Sequence, residues 1–217
     1  MKEVRSSLSR DLLSKELANL TLADIRDGQT YEQVTIADSE QLHSELTGLG
    51  FERALFNRIN LSASKWMSLE LFEVVMENCT LANADWQACR LEHVELRRSR
   101  MTGLSLATGK FDNVLFDRCK LDLAILHDAQ ISSCCFERCD LREADFQGAA
   151  LRRVQFRECD LRSARFPGAS FAHVDLRGSQ VAGVQIDNSA LRGTTVDPAQ
   201  VADLAGLLGL IVRAADD

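Results

Sequence analysis

Bulky apolar side chains return every fifth residue from Phe51 to Val196, thirty in succession, with Trp66, Met76, Trp86 and Met101 among them. Two places before each stands a small or apolar residue: Ala54, Val74, Cys79, Ala84 and Cys89, and so on to Val184, Ser189 and Thr194. The positions between are mostly polar or charged. An α-helix cannot use this pattern, because a five-residue step turns each apolar residue about 140° from the last. A flat strand cannot either, because a step of five changes face every time. The period is that of an internal repeat.

A chain that turns a corner every five residues satisfies the pattern. Each pentapeptide then forms one side of a square coil. Its central residue and the one two before it point inward, and the other three face water. Four sides complete a turn, so residues 20 apart stack about 4.8 Å apart along the axis. The segments "CDLRE", "ADFQG", "CDLRS", "ARFPG" and "VDLRG" read small–polar–Leu/Phe–polar–any. In this they resemble the pentapeptide repeat proteins. The resemblance implies an all-β fold, a right-handed quadrilateral β-helix.

The phase extends back from Phe51 through Leu46, Ile36 and Tyr31, and Gln41 breaks it. "ANLTL" and "ADIRD" (18–27) fit if Gly28 is one inserted residue, a bulge that glycine tolerates. The repeat region is therefore expected over 18–198, about nine coils. A short helix over 37–46 competes for that stretch, because Leu42 and Leu46 are four apart.

An open column would expose its apolar interior, so both ends need caps. Residues 1–17 place Leu8, Leu12, Leu13 and Leu17 on one helical face and are expected to form an N-terminal helical cap. Residues 199–217 follow Pro198 and are expected to supply a C-terminal capping helix and tail. Val201, Leu204, Leu207, Leu208, Ile211 and Val212 offer more apolar surface than capping requires, which points to a homodimer through this segment. The Qnr-type members that the chain resembles also join tail to tail through a comparable end.

Composition narrows the chemistry. Six of the seven cysteines (79, 89, 119, 134, 139 and 159) fall at the small inward position, and only Cys135 does not. They read as small buried hydrophobes, with neither a metal site nor a cofactor implied. Free thiols, no apolar run near 18 residues and no signal peptide suit a cytoplasmic protein that does not enter the membrane. His43, His93, His127 and His173 are scattered over outward positions, and no nucleophile motif or phosphate loop occurs, so no catalytic residues are expected.

A rigid column is suited to binding. The resemblance to Qnr-type proteins implies a mimic of DNA that binds DNA gyrase or topoisomerase IV and protects it from quinolones or peptide toxins, without contacting nucleic acid itself. Residues 18–198 carry 26 acidic and 20 basic side chains, net −6. Duplex DNA about 43 Å long would carry roughly 25 negative charges, so the mimicry is incomplete. The most acidic side is the one centred on 46, 66, 86 and onward to 186. It holds Asp24, Asp27, Glu45, Asp85, Asp128, Asp145 and Asp187 against Arg26, Lys65 and Arg165, net −4. The alternative is a protein–protein scaffold or adaptor, such as an immunity or secretion accessory, in which mixed charge only keeps the column soluble.

Overall fold

The computed structural model describes Leu8, Leu12 and residues 16–211. The chain winds into a parallel β-solenoid with a square section. We call its sides faces I to IV, centred on residues 51, 56, 61 and 66 and their equivalents 20 apart. Face I is an eight-stranded parallel sheet running from Thr30–Glu32 to Ser170–Ala172. Face II is a second eight-stranded sheet, from Ala18–Asn19 to Gln155–Arg157. Register is in steps of 20, with Phe116 opposite Phe136 and Phe136 opposite Phe156. The column therefore has about eight turns, one fewer than the repeat count suggests.

Faces III and IV are joined mostly by single bridges such as Asn60 to Thr80 and Asp85 to Ser105. The cause lies in the corners. Those that close faces III and IV are hydrogen-bonded turns, such as Ala84 N to Leu81 O and Cys89 N to Trp86 O. Their tight backbone leaves too few extended residues for a strand. At corner after corner the residue two past the centre has a positive φ, as at Asn83 (53°) and Asn113 (53°). Phe166-Pro167-Gly168-Ala169 shows the local logic: proline presets φ, Gly168 takes +68°, and Ala169 N bonds to Phe166 O.

The interior is a set of side-chain columns. Phe116, Phe136 and Phe156 stack with ring centroids 4.6 and 5.0 Å apart, and Phe146 stacks on Phe166 at 4.6 Å. Trp66 and Trp86 form another pair. All seven cysteines are buried. Burial pushes the thiols of Cys89 and Cys134 up to about 12, so they pack as hydrophobes. Cys135 is also buried, although its position faces outward. It lies in register between Leu115 and Gln155, which cover it along the row.

The first coil departs from the expected phase. Gly28 is no inserted bulge: at φ +67° it takes the same corner position as Gly48 directly above. The adjustment falls earlier, where Leu22–Asp24 forms a 3-10 turn in place of a full side. Leu22 and Ile25 are buried there, and Arg26 is left outside. Residues 37–47 are coil, with strands at Val34–Ala37 and Glu45–Thr47 and a bridge from Glu40 to Asn60. Leu42 is exposed, and Gln41 fills the central slot. The buried Oε1 of Gln41 has no hydrogen-bond partner. Gln41→Leu is expected to raise unfolding free energy by about 1–2 kcal/mol in urea titration, because it restores apolar packing and removes an unsatisfied acceptor.

The column ends in short helical segments. Asn188–Leu191 is helical, followed by a 3-10 turn at Pro198–Gln200, a helix at Val201–Ala205 and a 3-10 turn at Gly206–Leu208. Gln200 is buried and donates to Leu176 O and Ser179 O, which seals carbonyls of the last coil. At the other end Leu8 and Leu12 are helical and Leu12 is buried. Leu17 is half-buried and outside any helix, and Leu13 lies outside the described residues.

Candidate binding surface

The solenoid fixes where each outward side chain goes. On every face the residues before and after the centre form two rows along the axis, and the left-handed residues form a third at the corner. On face IV the first row reads Glu45, Lys65, Asp85, Ser105, Ile125, Asp145, Arg165 and Gln185. Carboxylates are interrupted by cations and neutral side chains, unlike the unbroken charge of a phosphate backbone.

The structure brings the seven candidate carboxylates to one side but spreads them from the first coil to the last. Most have work inside the column. Asp24 accepts from the Thr21 hydroxyl at 2.6 Å, which holds its pKa below the usual carboxylate range. Asp27 accepts Thr47 N at 2.6 Å, and Asp187 accepts Gly168 N at 2.7 Å. Glu45 pairs with Lys65 at 2.7 Å, and this bond lowers its pKa. Asp85 accepts from the backbone and side chain of Gln87. Asp145 lies between Arg165 at 3.1 Å and His127 at 3.2 Å. Asp128 differs from the rest: it makes no side-chain bond to another of the described residues and rests at a corner beside Gly148.

Face II adds a feature the charge count did not show. Glu95 is buried there and paired with Arg97 at 2.6 Å. Burial raises its pKa against the pull of Arg97. The "DLR" segments form clamps: Asp140, Asp160 and Asp175 each accept from the arginine two residues on, at 2.6–2.7 Å at the closest, as well as from its backbone amide. The Asp-x-Arg spacing is visible in the sequence, and only the turn geometry reveals it as a structural clamp.

The C-terminal candidates divide. Leu204 is buried and the half-buried Leu207 packs on the core, so both help to close the column. Val201 and Leu208 are each 55% exposed and Ile211 is 80% exposed, and Leu210 joins them at 59%. Val212 lies outside the described residues. Elsewhere in the coils, Leu42, Leu123 and Ile125 are the large apolar side chains most exposed among the described residues.

Residues 69–146 and 109–186 match the family described as the pentapeptide repeat region. The chain is a pentapeptide repeat protein. No curated protein gives a significant match. Among solved structures it is similar to HetL, a pentapeptide repeat protein involved in heterocyst differentiation regulation in the cyanobacterium Nostoc, at 17% identity and TM-score 0.46 over 79% of this chain and 92% of that one. It is also similar to full-length QnrB1, a plasmid-mediated fluoroquinolone resistance protein, at 19% identity and TM-score 0.47 over 88% and 95%. Neither likeness carries a partner or activity over to this pentapeptide repeat protein. No helix among its described residues is long and apolar enough to cross a membrane.

Proposed function

We propose that the chain is a cytoplasmic, non-enzymatic binding protein that occupies the DNA channel of a type II topoisomerase, gyrase or topoisomerase IV, with face IV toward the enzyme. The observation that carries the reading is an uninterrupted column with an acidic excess on one side: Phe51 to Val196 runs without an insertion, and face IV is net −4. Eight turns at about 4.8 Å make a rod about 38 Å long, the length of a duplex segment. Attraction to a basic channel speeds encounter and weakens with salt. The exposed Val201, Leu208, Leu210 and Ile211 would join two columns tail to tail and double the rod.

The test is gyrase supercoiling with a quinolone, with and without the purified protein. Asp85→Lys, Asp128→Lys and Asp145→Lys together are expected to abolish inhibition or protection. Reversing Glu77, Asp117 and Glu137 on face II is expected to leave it largely intact, since that face would point away from the enzyme. A second reading, the scaffold, is favoured by the bonds that engage most face IV carboxylates within the column. It predicts no effect on supercoiling at any concentration.

A further inference from the structure

Face I is nearly neutral over its eight strands, net −1, but its charge is segregated along the axis. Its first four coils, 29–93, carry Glu32, Glu52, Glu70, Glu73 and Glu92 against Arg53 and Arg90, net −3. Its next four, 109–173, carry Lys110, Arg152 and Arg153 against Asp112, net +2. Ion pairing sharpens the contrast. Arg53 is bound to Glu32 and Arg90 to Glu92. That leaves Glu52, Glu70 and Glu73 with no cation partner among the described residues. Arg152 and Arg153 have no carboxylate partner there either, and Arg153 donates only to Ser133 Oγ. The strands beneath pair in parallel register, in steps of 20, from end to end.

We propose that face I is a docking surface for a second copy of this chain, laid antiparallel against it. Two identical faces can meet about a two-fold axis in two simple ways. An axis along the column sets each coil against its own equivalent, acid on acid and base on base. An axis along the strands reverses one column, so that the acidic half of each column faces the basic half of the other. Placed at the fifth strand, Lys110–Asp112, which alone meets its own equivalent, it sets the third coil against the seventh and keeps each row in line. Glu73 then faces the partner copy's Arg153 at the corner row, and Phe72 faces its Arg152. The first contact is an ion pair and the second a cation–π contact, and symmetry makes each twice. Phe72 is half-buried, and its ring already meets His93 edge-on at 6.0 Å, so it is held in place for the contact. The coils facing it carry the small residues Ala150, Ser170 and Ala172, which leave room for close approach.

The area sets the strength. Eight strands of three residues offer on the order of 400 Å² per copy, about half of what a standard stable interface buries. The association is therefore weak, reversible and sensitive to salt.

Sedimentation velocity on full-length Leu208→Asp protein tests this contact with the C-terminal one removed. A concentration-dependent dimer is expected at about 20 mM salt, weakened at least about tenfold at about 500 mM. Glu73→Arg alone and Arg153→Glu alone are each expected to stay monomeric. Their equimolar mixture is expected to dimerise again, because each supplies the charge that the other lost. Both side chains lie outside the core, so β circular dichroism should be retained. If one variant loses it, Arg152→Glu probes the same contact. Leu208→Asp protein that is monomeric at every salt would overturn the proposal, as would a dimer indifferent to either reversal or a mixture that stays monomeric. Failure of the tail-to-tail contact reads differently: wild type and Leu208→Asp would then sediment alike.

Discussion

Phe146→Ala is expected to lower unfolding free energy by about 3–5 kcal/mol, measured by urea titration with circular dichroism. The ring is fully buried and stacks on Phe166 at 4.6 Å. It also meets the edges of Phe136 and Phe156, at 6.4 and 6.2 Å. Truncation therefore removes contacts in its own column and in the neighbouring one. The site cannot collapse, because backbone bonds to the coils on either side, Phe146 N to Arg165 O and Asp145 N to Ala124 O, hold the spacing. A cavity remains, and its walls lose dispersion contacts. An exposed position on the same coil, such as Gln147, should change stability by less than about 0.5 kcal/mol when mutated to alanine. A cost under about 1 kcal/mol for Phe146→Ala would mean that the columns repack.

The same regularity explains what the sequence could reveal. A square coil leaves one kind of interior site, so the five-residue period alone identifies Phe136, Leu141, Phe146 and Leu151, all of which are buried. Legibility fails where the backbone leaves the repeat. The "ADIRD" register already turns Ile25 inward, but the cause is a 3-10 turn at Leu22–Asp24 that shortens the first coil. Nothing in the spacing separates that shortening from a bulge at Gly28. Gln41 was visible as an exception, and only the structure shows that the coil runs through it, at the expense of a buried acceptor without a partner.

Charge was legible as a total and illegible as an arrangement. Counting assigns face IV its excess of carboxylates but says nothing of Lys65 on Glu45 or of Arg165 on Asp145. These pairings depend on which rows lie 20 residues apart and on how far each side chain reaches. The ends were the least legible part. Helical spacing at 199–212 gave one apolar set, whereas the structure splits it between Leu204 and Leu207, which cap, and Val201, Leu208 and Ile211, which remain outside.

That split selects the residue for the second large effect. Leu208→Asp is expected to convert a tail-to-tail dimer into separate columns under conditions that suppress face I contacts, such as high salt. Leu208 is 55% exposed and lies near the exposed Leu210 and Ile211 in sequence, so a carboxylate there costs the isolated chain little. In a dimer the same carboxylate would be enclosed by the partner's apolar surface, at a penalty of about 3–5 kcal/mol. That penalty corresponds to a loss of affinity of roughly 10²–10³-fold or more. Leu204→Asp would not be diagnostic, because Leu204 is buried and closes the column, so its loss would damage the fold. The measurement is sedimentation equilibrium of wild type and Leu208→Asp side by side at high salt, with circular dichroism to show that both keep the β-solenoid. A wild type that is monomeric at micromolar concentration in that buffer would refute the tail-to-tail contact and leave the exposed apolar end to some other partner.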